Sequence, residues 1–65
     1  MTHDQKLITV RAMKRFGGSF VKALAECLLL ADAENQQKIE DTWHNYCRVY
    51  GPGTRFYEQL EGEEA

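Results

Sequence analysis

The chain is poor in the residues that would staple or anchor it: two cysteines, one proline, one tryptophan, and no apolar run longer than Cys27 to Ala31. Two cysteines are too few for a disulfide-dense secreted scaffold, so a reducing, cytoplasmic setting is expected. Crossing a bilayer takes roughly 20 consecutive apolar residues, so no membrane partner is expected, and the polar start is unlike a secretory leader. No lipidation motif frames either end. Missing as well are a C-x-x-C pair, a G-x-x-x-x-G-K-[ST] loop and a paired acid and base, which leaves no expectation of a cofactor, a metal or an enzymatic activity. A basic balance is also absent. At a net charge of -2 the chain is not expected to grip duplex DNA through its phosphates alone.

What is present is helical periodicity in 65 residues, enough for one domain with a thin core. Leu7, Ile8, Val10, Ala12 and Met13 predict a helix over 4–16, despite the β-branched Ile8, Thr9 and Val10. Lys14 and Arg15 suit its C-terminal end, Gly17 follows the cap, and Ser19 is expected to cap the next helix, 19–31. That second helix reads as central. Phe20, Leu24, Cys27, Leu28 and Ala31 fall on one face, with Val21, Ala25, Leu29 and Leu30 widening it, and little of the circumference is polar. Two short neighbours can hardly cover so broad a stripe, so Leu28, Leu29 and Leu30 are expected to face another subunit of a homo-oligomer.

Asp32 is expected to cap a third helix over 33–50, with Ile39, Trp43, Tyr46, Cys47 and Tyr50 on one stripe. Gly51, Pro52 and Gly53 stop it. A short turn of helix over 54–60 then returns Phe56, Tyr57 and Leu60 to the core, and 61–65 form an acidic tail. The fold class is all-α: a small helical hairpin from Phe20 to Tyr50 with an N-terminal helical arm and a short C-terminal clasp.

Charge is uneven along the chain. Lys6, Arg11, Lys14, Arg15 and Lys22 fall in the first third, whereas Glu58, Glu61, Glu63 and Glu64 crowd the end. The helix start at Gly17, Gly18 and Ser19 has Lys14, Arg15 and Lys22 around it and no acidic residue in its first turn, a combination that suits an anion such as a nucleotide phosphate. Capping alone also accounts for these residues. Ser19 and Lys22 match the S-x-x-K pattern of serine acyl-enzymes, but the further motifs and larger scaffold of such enzymes are missing. His44 and Cys47, with Cys27 and His3, have the residue types of a zinc site without its spacing signature, and core packing is the expected role of both cysteines. Trp43, Arg48, Arg55 and Tyr57 form an aromatic and arginine concentration of the kind that marks partner-binding surfaces. For Trp43 and Tyr46 a core role competes.

The stretch from Arg15 to Ala25, followed by Ala31, Asp32, Ala33, Glu34, Asn35 and the aromatic segment Trp43 to Tyr50, resembles short open reading frames of phages and prophages that carry no assigned activity. The likeness covers about Lys14 to Tyr50 and brings no catalytic residue with it. It implies a small accessory protein of the host-cell cytoplasm that antagonises a host or defence component by sequestering a protein or a nucleotide-type ligand, as anti-CRISPR proteins and helical sponges of cyclic nucleotides do by analogy. The alternative is a small nucleic-acid-associated regulator that uses the basic first third.

Overall fold

The computed structural model describes residues 1–64 and is all-helical, with five helices and no strand among them: α1 His3–Phe16, α2 Ser19–Leu30, α3 Ala33–Thr42, α4 His44–Tyr50 and α5 Arg55–Glu64. A reciprocal cap starts α1, in which the Gln5 N–H donates to Thr2 Oγ1 at 3.1 Å and the Thr2 N–H donates to Gln5 Oε1 at 2.8 Å. Thr9 and Val10, β-branched though they are, lie buried, and the Thr9 hydroxyl donates to the Gln5 carbonyl at 2.8 Å. Tertiary burial outweighs their modest helix propensity.

α1 is no peripheral arm. It lies along α2 and also packs on α5 and α4, whereas α2 and α3 touch only lightly. The core is Val10, Ala12 and Met13 of α1 against Val21, Leu24, Ala25 and Leu28 of α2, closed by Tyr50 and Leu60. Phe56 stacks between Phe16, at a centroid distance of 4.5 Å, and Tyr50, at 5.4 Å, and so ties α5 to α1 and α4.

Three expectations about the elements need correction. The stripe of α2 is rotated from its predicted position: Leu28 is fully buried within the chain, Phe20 and Cys27 are exposed, and only Leu29 and Leu30 of the leucine triplet reach the surface. The predicted 33–50 helix is divided at Trp43, whose backbone (φ -115°, ψ 37°) leaves the helical region as its ring packs on Phe20. The predicted tail is helical as far as Glu64, and Glu63 ion-pairs with Arg15; Ala65 lies outside the described residues. Thr54 starts α5, its Oγ1 accepting from the Tyr57 N–H at 3.2 Å.

Lys6 shows how the N-terminal charge is used. Its side chain is buried, and Nζ donates to the Ala31 carbonyl at 2.8 Å, at the C-terminal end of α2 where the helix dipole favours a cation. Lys6→Ala is expected to cost about 2 kcal/mol, because it loses both the packed stem and a charged hydrogen bond. Lys6→Met, which keeps the stem, is expected to cost about half of that. Urea denaturation of the two variants measures each share, and equal losses would assign the whole effect to the ammonium.

Candidate functional site

The glycine turn is built by the end of α1 and the start of α2. Gly17 caps α1 in an extended conformation (φ -85°, ψ 161°), its N–H donating to the Met13 carbonyl at 2.9 Å. It is not left-handed; among the described residues only Gly53 has a positive φ, of 86°. A Cβ at Gly17 would lie 2.6 Å from the Met13 carbonyl oxygen and closer still to Val21 Cγ1, so glycine is required there by close approach. Gly18, not Ser19, is the N-cap of α2, and it offers no side-chain cap. Ser19 is the first helical residue and is exposed.

The cations around this turn are largely occupied. Lys14 Nζ stands 2.6 Å from Glu26 Oε2, and Arg15 pairs with Glu63 while its guanidinium lies 5.7 Å from the centre of the Phe16 ring. Lys22 is exposed, with no ion pair among the described residues. The six residues Lys14, Arg15, Gly17, Gly18, Ser19 and Lys22 are thus near one another in the chain, but carboxylates hold two of the three charges that an anion would need.

A second surface is aromatic. Phe20 packs edge-on against Trp43 at 5.1 Å and tilted against Tyr46 at 5.7 Å, and Trp43 and Tyr46 are 6.1 Å apart. The cluster does not close on itself: Phe20 remains 51% and Trp43 38% exposed. Beside it a groove of about 550 Å³ runs between α2 and α3, its apolar wall formed by Cys27, Leu30, Ala31, Ile39 and Trp43. Asn35, Lys38 and Thr42 form the polar edge. No residue of α3 is buried, so the inner face of that helix, Ile39 included, is only partly covered by the chain itself.

Of the aromatic and arginine residues singled out from the sequence, Trp43, Arg48 and Arg55 are exposed, whereas Tyr57 is 5% exposed. Tyr57 is therefore a core residue, as the return of 54–60 to the core expects, and its assignment to the binding surface is corrected. Burial, with Glu61 and Asp4 adding to it, pushes its phenol above the ordinary value. Burial and the nearby Glu40 carboxylate likewise push the Cys47 thiol up, against a smaller opposing pull from the amino terminus. Among the described residues no group of three His, Cys, Asp or Glu side chains is placed to hold a metal ion. Among the described residues no helix is long and apolar enough to cross a membrane.

Phe20 and Ile39 are surface residues that the sequence does not single out, whereas Leu30, expected to face outward, does so. Phe20, Ala23, Cys27 and Leu30 recur at i, i+3, i+7 and i+10, a second stripe that was legible beside the first but was absorbed into it.

No family model, curated protein or solved structure matches the chain.

Proposed function

We propose that this chain is a homo-oligomeric, non-enzymatic binding protein that acts by occupying a partner. The observation that carries this reading is the exposed aromatic face of Phe20 and Trp43 with its groove, because a chain this small has few large apolar residues and leaves two of its aromatics in water. Arg48 and Arg55, exposed and outside the groove, are the residues we assign to a partner other than the chain itself. The resemblance to short phage reading frames suggests a host or defence component as that partner. No specific observation favours nucleic acid, since Lys6, Lys14 and Arg15 are engaged within the chain.

Affinity capture from a bacterial extract tests the reading, with the wild type compared to Arg48→Ala/Arg55→Ala. A protein held by the wild type and lost from the double variant, at unchanged melting temperature, is the expected result; identical capture by both overturns the assignment of the arginines. A thermal-shift series with mono-, di- and cyclic nucleotides tests the anionic-ligand branch. There, a stabilisation that disappears in Lys22→Ala would move the ligand to the glycine turn.

A further inference from the structure

Resting on the reading of the Phe20–Trp43 face as the self-association surface, we propose that its occupant is a second copy of this chain, docked through α2 in antiparallel fashion about a two-fold axis. The argument begins with spacing. Phe20, Ala23, Cys27 and Leu30 are all exposed, and their steps of three, four and three read the same in both directions. So do their sizes: large, small, small, large. An isologous antiparallel pair sets residue i against residue j of the partner and j against i. Phe20 then meets the partner's Leu30, and Ala23 meets the partner's Cys27. The small residues fall at the crossing point, where helix axes approach to roughly 8–10 Å, and the large ones fall about 15 Å apart along the axis.

Direction follows from shape and from the helix ends. At its N-terminal end Phe20 packs on Trp43 and Tyr46 as an exposed knob; at its C-terminal end Leu30 and Ala31 border the groove with Ile39. Only the antiparallel arrangement places the knob of each copy over the groove of the other. α2 also has no acidic residue in its first turn, so its N-terminal end is left uncompensated, whereas at its C-terminal end the Lys6 ammonium already meets the Ala31 carbonyl. Antiparallel docking sets that N-terminal end beside an end of opposite sign, whereas parallel docking stacks like on like.

The exposed apolar side chains supply about a third of the area that such an interface needs from each copy. A stable interface takes roughly 800 Å² from each partner, about a fifth of the 4237 Å² that this chain exposes. Leu30 is 78% exposed, and with the open parts of Phe20 and Trp43 it contributes about 300 Å² of side chain, given the 150–250 Å² span of an aromatic residue. Ala23, Cys27 and the groove wall add to this.

Disulfide trapping tests the geometry in the full-length chain carrying Cys47→Ser. Adding Ala23→Cys puts a thiol level with the partner's Cys27, so mild oxidation is expected to convert most of the protein to a covalent dimer on a non-reducing gel. The Cys47→Ser chain with Cys27 alone is expected to stay uncross-linked, because the two copies of Cys27 are offset by about 6 Å along the axis, beyond the Cβ separation of about 4 Å that a disulfide allows. Light scattering on the same samples reads the mass, and Leu30→Glu is expected to shift it to a monomer with helicity retained. A dimeric mass with no cross-link from Ala23→Cys, or with ready cross-linking through Cys27 alone, overturns the antiparallel register and leaves self-association standing. A monomeric wild type at tens of micromolar overturns both.

Discussion

Leu28→Ala is expected to cost about 3–5 kcal/mol, while Leu30→Ala, two residues on, is expected to cost less than about 1 kcal/mol at concentrations where the chain is monomeric. Leu28 is 0% exposed and belongs to the core that α1 and α2 share, so truncation opens a cavity there. A 65-residue domain is worth of order 3–10 kcal/mol in total, so the first variant should lose a large share of its stability, read as a fall in its urea midpoint. Leu30 leaves a hole only in solvent. Equal losses from the two substitutions would place the leucine triplet in one common environment and refute the orientation of α2.

That contrast also marks how far the sequence could be read. The periodicity of Leu24, Leu28 and their neighbours fixed α2 as a helix, and the turn chemistry around Asp32 and Thr54 marked where α3 and α5 begin. Which side of an almost wholly apolar helix turns inward is a different matter. Candidate stripes around Leu24 and around Cys27 overlap by residues, and only the position of α1, which a local pattern does not encode, selects Val21, Leu24, Ala25 and Leu28. The depth of α1 was missed for the same reason. Its pattern is loose because it packs on α2, α4 and α5 at once, so burial falls on Lys6 and Thr9 as well as on Val10 and Met13.

The aromatic surface was partly legible. Trp43, Arg48 and Arg55 are marked by residue type, and they are exposed; Tyr57 is marked in the same way but is buried, where the spacing of Tyr57 and Leu60 and not residue type places it. The break at Trp43 carried no glycine or proline to announce it. It follows from a tertiary contact, the ring against Phe20, and no window of local sequence contains both partners.

At the glycine pair, Gly17→Ala is expected to cost about 2–3 kcal/mol and Gly18→Ser to leave stability unchanged or raise it by a few tenths of a kcal/mol. A glycine past a helix end is commonly left-handed, and such a position loses about 1 kcal/mol on replacement by alanine. The Gly17 backbone is instead extended, and a methyl group would collide with the Met13 carbonyl oxygen and with Val21, one on each of the helices that the turn joins. Relief requires α1 and α2 to move apart along their shared core. Gly18 has open space around a Cβ and extended dihedrals that any residue adopts, so a serine there gains the side-chain cap that α2 lacks. Chemical denaturation of the two single variants measures the difference. A loss of 1 kcal/mol or less at Gly17, matched by a similar loss at Gly18, would show that the pair supplies only backbone freedom; the expected opposition shows that the close contact of α1 and α2 is what requires glycine at the first position.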